Sequence, residues 1–342
     1  MKALTIDGYG LEHVAVREVP DPQPAPGEVT VRVRAAALNR LDLWTLSGAL
    51  KIPHEFPHVL GADGAGVVES VGDGVTGIKP GAEVMINPAA SCGRCEFCRA
   101  GEQSMCTTLR MLGEHMPGTF AELVSVKASN VFPFPEGFTF SQAAALGTTF
   151  ITAYRMLFTR GRMSPGEWVL VTGIGGGLGV SLFQMARPLA GKVFVTSSSE
   201  VKLERARAMG ADGTVNYREE DVGKAIRNAT GKRGVDLVVD SAAGGSLEPS
   251  LRALRKGGRL VNAGATAGPK VEVDIRRVFW NQLEIIGSTM GSDADVSDML
   301  RLVAGSGVEP VIDRAYPLGD GVKALERLDE PDLFGKVALE IP

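Results

Sequence analysis

The sequence predicts an α/β protein of two domains, an antiparallel β-barrel and a doubly wound parallel sheet. Three observations carry this expectation. The first third consists of short β-branched runs bounded by glycine, "GEVTVRVRAAAL", "GAGVVESVGDGV", "GAEVMIN" and "GTFAELVSV", with no competing helical periodicity. Near residue 165 the pattern changes to continuous apolar strands alternating with helices, as a parallel sheet covered on both faces demands. At 342 residues the chain is long enough for roughly two domains.

Taken in order, "GEVTVRVRAAAL" alternates valine and arginine before a solid apolar run, and the three later runs are shorter strands of the same barrel. The parallel sheet opens with strand "WVLVTG" (168–173) and a helix through "LGVSLFQMAR". Strand "KVFVTS" (192–197), helix "EVKLERARAMG", strand "VDLVVDS" (235–241) and helix "GSLEPSLRALRKG" follow, then strands "GRLVNAG" (258–264) and "LEIIGS" (283–288). From residue 290 the tail reads as two helices, "VSDMLRLVAGSG" and "GVKALERLD", and a closing strand, "KVALEIP". The longest apolar run, Ala143 to Tyr154, has 12 residues, too few for a bilayer, and is predicted as a buried helix. "MKALTIDGYG" lacks the apolar core of a secretory signal, so a soluble cytoplasmic protein is expected. A net charge of -4 gives no electrostatic reason to expect a nucleic acid or membrane partner.

"VTGIGGGLG" (171–179) joins a strand to a helix, which sets free backbone N–H groups and the positive helix end against an anion such as a pyrophosphate. The strict G-x-G-x-x-G spacing is not met; Gly173, Gly176, Gly177 and Gly179 stand here, with Leu178 between the last two. The turn's place in a βαβ unit favours nucleotide binding over a loop without function. The next strand ends in Ser197, Ser198 and Ser199, with Lys202 one turn into the helix, instead of an acid for the ribose hydroxyls. Hydroxyls and an ammonium suit a 2′-phosphate, so NADP(H) is favoured over NAD(H), with Glu200 arguing the other way.

All four cysteines, Cys92, Cys95, Cys98 and Cys106, fall in one 15-residue loop as C-x2-C-x2-C-x7-C. Four thiolates complete a tetrahedral zinc shell with no open position, so one structural zinc is expected here. Four unrelated buried cysteines would be the bland alternative, and they rarely cluster so tightly.

Together "GEVTVRVRAAALNRLD", "PHVLGADGAGVVESVG", the cysteine lobe, "GTTFITAY", "VTGIGGGLG", "VDLVVDSAAGG", "GGRLVNAG" and "FGKVALEI" make the chain resemble the medium-chain dehydrogenase/reductase superfamily over essentially its whole length. The resemblance implies a GroES-like β-barrel catalytic domain over 1–149 and 290–342, with the zinc lobe at 91–107. It implies a Rossmann coenzyme domain over 150–289 and an active site in the cleft between. Zinc alcohol dehydrogenases of this superfamily hold a catalytic zinc by a cysteine, a histidine and a cysteine or glutamate. The matching positions here are Asn39, Ala62 and Thr148, of which none is a good zinc ligand, so no catalytic zinc is expected. Leu41 stands at the hydroxyl of their proton relay. The chain is more similar to the zinc-free quinone oxidoreductase branch, from which it departs by keeping the cysteine lobe.

Without zinc to stabilise an alkoxide, hydride transfer favours acceptors that spread the incoming charge by conjugation. The expected function is therefore NADPH-dependent reduction of a quinone or an α,β-unsaturated carbonyl. The alternatives are an alcohol dehydrogenase that recruits metal through other ligands, and a non-catalytic NADPH-binding structural or regulatory protein. Asn39 is the first candidate oxyanion donor, through its amide, against a role in tying down its loop. Thr152 matches the threonine beside the nicotinamide, against a plain core residue, and Trp44 is set to wall the acceptor pocket, against simple packing. Asp42 is read as fixing local backbone, and Arg40 as either a phosphate contact or a surface charge. Lys202 and Tyr217 resemble residues that contact the 2′-phosphate, against a solvated lysine and a half-buried tyrosine. Lys336 is placed near the cofactor. His58 with Asp63 could form a displaced metal site, although two ligands are too few; His54, His115 and His13 read as rim, lobe-edge and surface residues. A homodimer or dimer of dimers is expected through "LEIIGSTM" as the edge strand.

Overall fold

Three strands open the chain: β1 (Lys2–Ile6), β2 (Val14–Glu18) and β3 (Glu28–Ala37). In β3 the valines at 29, 31 and 33 are buried, while Arg32 reaches out to a bidentate pair with Glu69 at 2.9 and 2.8 Å. These coordinates are a computed structural model describing residues 1–342. The chain forms two units, Met1–Thr149 with Ser292–Pro342, and Phe150–Gly291.

A helix, α1 (Arg40–Ser47), interrupts the strand region, contrary to the all-strand reading of the first third. Eight residues, about two turns, are too short to display a helical period. Gly48, left-handed at φ 68°, ends it. Then come β4 (His58–Val59), β5 (Asp63–Val71), β6 (Glu83–Ile86) and β7 (Ala89–Ala90). The cysteine lobe holds the short α2 (Glu96–Arg99), and β8 (Arg110–Met111) pairs back on β7. β9 (Leu123–Lys127), β10 (Val131–Phe132) and α3 (Phe140–Ala145) complete this first passage.

The apolar run 143–154 is not one helix. It ends α3 at Ala145, breaks at Gly147 (φ −54°, ψ −115°) and resumes as α4 (Ile151–Tyr154). Asp63 causes the break: its Oδ1 accepts the Thr148 N–H at 2.7 Å, withdrawing that donor from the helical ladder.

The second unit alternates β11 (Trp168–Val171), α5 (Gly177–Ala186), β12 (Lys192–Ser197), α6 (Glu200–Ala208), β13 (Gly213–Asn216), α7 (Val222–Ala229), β14 (Val235–Asp240), α8 (Leu247–Ala253), β15 (Leu254–Asn262), α9 (Ile275–Asn281) and β16 (Glu284–Gly287). The six strands run parallel in the order β13-β12-β11-β14-β15-β16. This is the 3-2-1-4-5-6 order of dinucleotide-binding sheets, with the reversal beside β11. Leu170, Phe194, Val238, Leu251 and Leu260 form its core. β13 and α7 have no counterpart in the sequence reading; "GTVN" offers a single large apolar residue to find.

The chain then returns to the first unit with α10 (Asp293–Ser306), β17 (Ile312–Pro317), α11 (Gly321–Arg327) and β18 (Lys336–Glu340). A reciprocal cap starts α10, Ser292 Oγ accepting from Asp295 N at 3.2 Å while Asp295 Oδ2 accepts from Ser292 N at 2.7 Å. The large sheet runs β10-β6-β5-β3-β18-β17, with β9 also on β3, and β2-β1-β4 form a smaller one. Leu4, Ile6, Leu60, Phe120, Val337 and Leu339 are among its buried core. Ala37, at the end of β3, lies opposite Asp63 on one side and Ala338 on the other. That register gathers Asn39, Asp63 and Lys336 at one end of three adjacent strands.

Candidate active site, nucleotide turn and metal lobe

The glycine turn is held to its sheet by two bonds to Thr196, from Gly173 N to the hydroxyl at 3.0 Å and from Ile174 N to the carbonyl at 2.8 Å. A side chain on Gly179 would meet the Gly173 carbonyl at 2.5 Å, so this glycine sets how closely α5 packs on the turn. Gly173 and Gly176 are exposed with open space above them, Gly177 and Leu178 are half-buried, and α5 begins at Gly177. The Lys202 ammonium lies 3.0 Å from where a Gly175 side chain would begin, placing a cation against the glycine turn at the start of α5. This combination favours a phosphate. Ser197 is buried, its hydroxyl accepting from Ser199 N at 3.2 Å, whereas the Tyr217 ring is half exposed. Glu200 is paired with Arg207 at 2.6 Å. Thr152, also in this unit, is buried and donates to Met290 Sδ at 3.8 Å.

In the lobe, the sulfurs of Cys92, Cys95, Cys98 and Cys106 all lie within 4.8 Å of one another. Two of the separations are 3.9 Å (Cys92–Cys98) and 3.5 Å (Cys95–Cys98). Tetrahedral zinc with bonds of about 2.3 Å sets its sulfurs ~3.8 Å apart, so the four thiols fit that ion. Backbone N–H groups of Arg94 and Cys95 point at Cys92 and pull its thiol down to about 6. Burial pushes Cys98 up to about 11, and a bound dication is the charge that would ionise it.

Where the barrel strands converge, a buried polar network joins residues far apart in the chain. Lys336 Nζ donates to Asn39 Oδ1 at 2.6 Å and to Asp63 Oδ2 at 3.0 Å. Asn39 Nδ2 donates to the same Asp63 oxygen at 2.9 Å and to the Ala37 carbonyl at 3.4 Å. Asp63 Oδ1 accepts from both the N–H and the hydroxyl of Thr148, at 2.7 and 2.6 Å. A side chain on Gly147 would sit 2.4 Å from that oxygen, so glycine is required there. Asp42 Oδ2 accepts the Asn39 N–H at 2.6 Å. Burial pushes its carboxyl up to about 7, Asp63 adding to the rise against opposing contributions from Lys336 and two backbone donors. Asp63 and Lys336 are 0 and 3 % exposed, whereas Thr148 is half-buried, so the network meets solvent at Thr148.

The sequence of residues 25–136 matches the alcohol dehydrogenase GroES-like domain, and 177–305 the zinc-binding dehydrogenase domain. An alcohol dehydrogenase of Geobacillus stearothermophilus is 31% identical over 343 residues, covering 100% of both chains. The chain belongs to the medium-chain dehydrogenase/reductase superfamily. An acryloyl-coenzyme A reductase of Metallosphaera sedula is 32% identical, covering 99% of each chain. The crystal structure of an NAD-dependent alcohol dehydrogenase superposes with a TM-score of 0.94 at 43% identity, covering both chains fully. As a medium-chain dehydrogenase/reductase the protein is an oxidoreductase with a GroES-like domain and a Rossmann-type sheet.

Within that superfamily frame several sequence expectations change. The Asn39 amide is not an open oxyanion donor, because both its hydrogens are bonded inside the protein. Lys336 is buried, with Asp63 and Asn39 as its partners. Arg40 pairs with Asp329 at 2.5 Å, the surface alternative. Trp44 is 37% exposed and so is not simply packed. The His58–Asp63 metal site is not formed: His58 Nε2 lies 3.0 Å from the Gly113 carbonyl, and the Asp63 oxygens are held by Thr148, Asn39 and Lys336. His54 bonds Glu114 O at 2.8 Å and the Tyr9 hydroxyl at 3.1 Å, His115 accepts from Met111 N at 3.2 Å, and His13 pairs with Asp7 at 3.0 Å. Asp63 is the hub that the sequence reading missed. Its one signal is a carboxylate between "GA" and "GAG" in an apolar strand, where a buried charge needs a partner elsewhere in the chain.

Proposed function

We propose that the protein reduces an α,β-unsaturated carbonyl with NAD(P)H, NADPH preferred, without a catalytic zinc. One observation carries this reading. The three positions matching catalytic zinc ligands, Asn39, Ala62 and Thr148, hold no thiolate or imidazole, and Asn39 and Thr148 are bonded to Asp63 in a network that already contains its own cation, Lys336. Bound NAD(P)H supplies a hydride: the acceptor's β-carbon gains it, the π pair moves to the carbonyl oxygen, and a solvent proton completes the α-carbon, leaving coenzyme oxidised and alkene reduced. The glycine turn and Lys202 bind the coenzyme phosphates. Thr152 and Trp44 are assigned to line the nicotinamide and acceptor sites. Glu200, tied to Arg207, is a poor ribose ligand, which supports NADPH. The acryloyl-coenzyme A reductase relative supports a conjugated acceptor, with quinones as further members of the class. Cys92, Cys95, Cys98 and Cys106 hold one structural zinc.

The alcohol dehydrogenase reading draws on the names of the other relatives, and metal dependence separates the two. The test is an NADPH-oxidation screen over enones, enoyl thioesters, quinones and aldehydes, with and without chelator, repeated with NADH. Chelator-resistant turnover of conjugated acceptors is expected; activity restricted to alcohols and aldehydes and restored by added zinc overturns the proposal. No helix is long and apolar enough to cross a membrane. A homodimer, or a dimer of dimers, through β16 is part of the same reading: this strand is the sheet edge, and Ile285 on it is 47% exposed.

A further inference from the structure

The geometry points to the Lys336 ammonium as the electrophile that takes the developing oxyanion of the acceptor, in the role a metal would otherwise fill. Elimination among the donors of the network leads there. Both amide hydrogens of Asn39 are committed, to Asp63 and to the Ala37 carbonyl. The Thr148 hydroxyl and N–H both go to Asp63 Oδ1, and the Thr119 hydroxyl goes to the Asp63 carbonyl at 2.8 Å. An ammonium has three hydrogens. Lys336 donates two, to Asn39 Oδ1 and Asp63 Oδ2, which leaves its third hydrogen uncommitted among the Asn39, Thr148, Thr119 and Lys336 donors.

The setting suits the role. The side chain is 3% exposed, so its charge acts through low dielectric instead of water. Two acceptors and a strand start fix its position, so little reorganisation is needed as charge develops. Thr148, the half-buried member beside Asp63, is where the network opens to solvent. Asp63 holds the ammonium and is a positioning residue; Asn39, whose oxygen takes the shortest of the Lys336 bonds at 2.6 Å, is another. This assignment depends on the reductase reading only for the identity of the acceptor, since any carbonyl oxygen gaining charge would use the same donor.

The experiment compares wild type with Lys336→Met and with the double variant Lys336→Met/Asp63→Asn. The single change strands a buried carboxylate and is expected to cost folding stability. The double change removes both charges together, so no carboxylate is stranded, although Asn39 Oδ1 loses its ammonium donor; denaturant unfolding of each variant, read beside kcat, separates fold from chemistry. Each protein is assayed against whichever acceptors of the screen wild type reduces. The double variant is expected to fold, to bind NADPH as wild type does, and to lose about 10²–10³-fold in kcat with a small change in KM. A second readout needs no turnover: the infrared C=O stretch of an enone bound to the coenzyme-free protein. It should move to lower frequency in wild type and return to its free value in the double variant. If Lys336 merely neutralises Asp63, the double variant keeps its kcat and the red-shifted stretch, and the assignment falls. Wild type that reduces only aldehydes sinks the reductase reading, while the kcat and infrared comparisons still decide Lys336. Wild type that reduces nothing and leaves the enone C=O unshifted sinks both.

Discussion

Asp42 ties the network's electrostatics to folding. Its carboxyl is buried, and burial lifts it from 3.8 to about 7. A raised acid keeps its proton in the folded chain over a range where the unfolded chain has released it, so its contribution is full below pH ~4 and falls as pH rises to ~7. At 1.36 kcal/mol per pKa unit the loss has a ceiling of roughly 4 kcal/mol. Asp42→Asn keeps an oxygen for the Asn39 N–H and removes the titration. Urea unfolding at pH 5 and pH 8 should therefore show a smaller drop for the variant than for wild type, and equal drops would refute the assignment. At this scale the sequence was half legible. Asn39 stood out because a ligand was expected at its place, but its partner was out of reach of inspection: Lys336 and Asp63 are 273 residues apart, and nothing local to either names the other. The same blindness made the Asn39 amide look available when two acceptors already held it.

Among the elements, β18 carries Lys336, and the segment before it is fixed by a second ion cluster, built on the buried pair Arg327–Asp313. Arg327 bonds Asp313 twice, at 2.8 and 3.0 Å, and also pairs with Glu330 and Asp332. Asp313 in turn accepts the Phe334 N–H at 3.1 Å, two residues before Lys336. These bonds hold the Arg327 guanidinium far above its ordinary value, the Asp313 pair contributing most. Arg327→Met strands Asp313 in the interior and should cost about 3–5 kcal/mol in denaturant unfolding. A loss under 1 kcal/mol would mean that the cluster is solvated and does not support β18. The cysteine lobe makes the complementary case, a local element that spacing alone exposed. Cys106→Ser should lower bound zinc from one per chain to none, by atomic absorption, while NADPH binding persists; zinc retained by the variant would disprove the four-thiolate site. Lobe and glycine turn were readable because each is contiguous in sequence. α1 and β13 were not, being too short for their periodicity to rise above background, whereas α7 carries Val222, Ala225, Ile226 and Ala229 at helical spacing and its signal went unread.

For the whole molecule, the open question is how the parallel sheet ends. Its two edges are β13 and β16. β16, "EIIG", exposes Ile285 at its middle, and the helix before it exposes Ile275, Phe279 and Trp280 at 66, 63 and 75%. A lone β-edge beside a large apolar patch is an aggregation hazard in a monomer, and natural proteins cover such edges. A second copy can do so by two-fold pairing of β16 with itself, because a two-fold axis makes the contact self-complementary and closes it. The edge was legible from the sequence as the last strand of the alternating run, whereas the helix patch was not, since seven residues are too few to show which face of a helix stays uncovered. Ile285→Lys puts an ammonium where two copies would meet, at a position remote in sequence from the cysteine lobe and glycine turn. Sedimentation velocity at micromolar concentration should give a dimer or larger for wild type and a monomer for the variant. Wild type sedimenting as a monomer would show that these residues stay in water, and the exposed strand would then need another explanation.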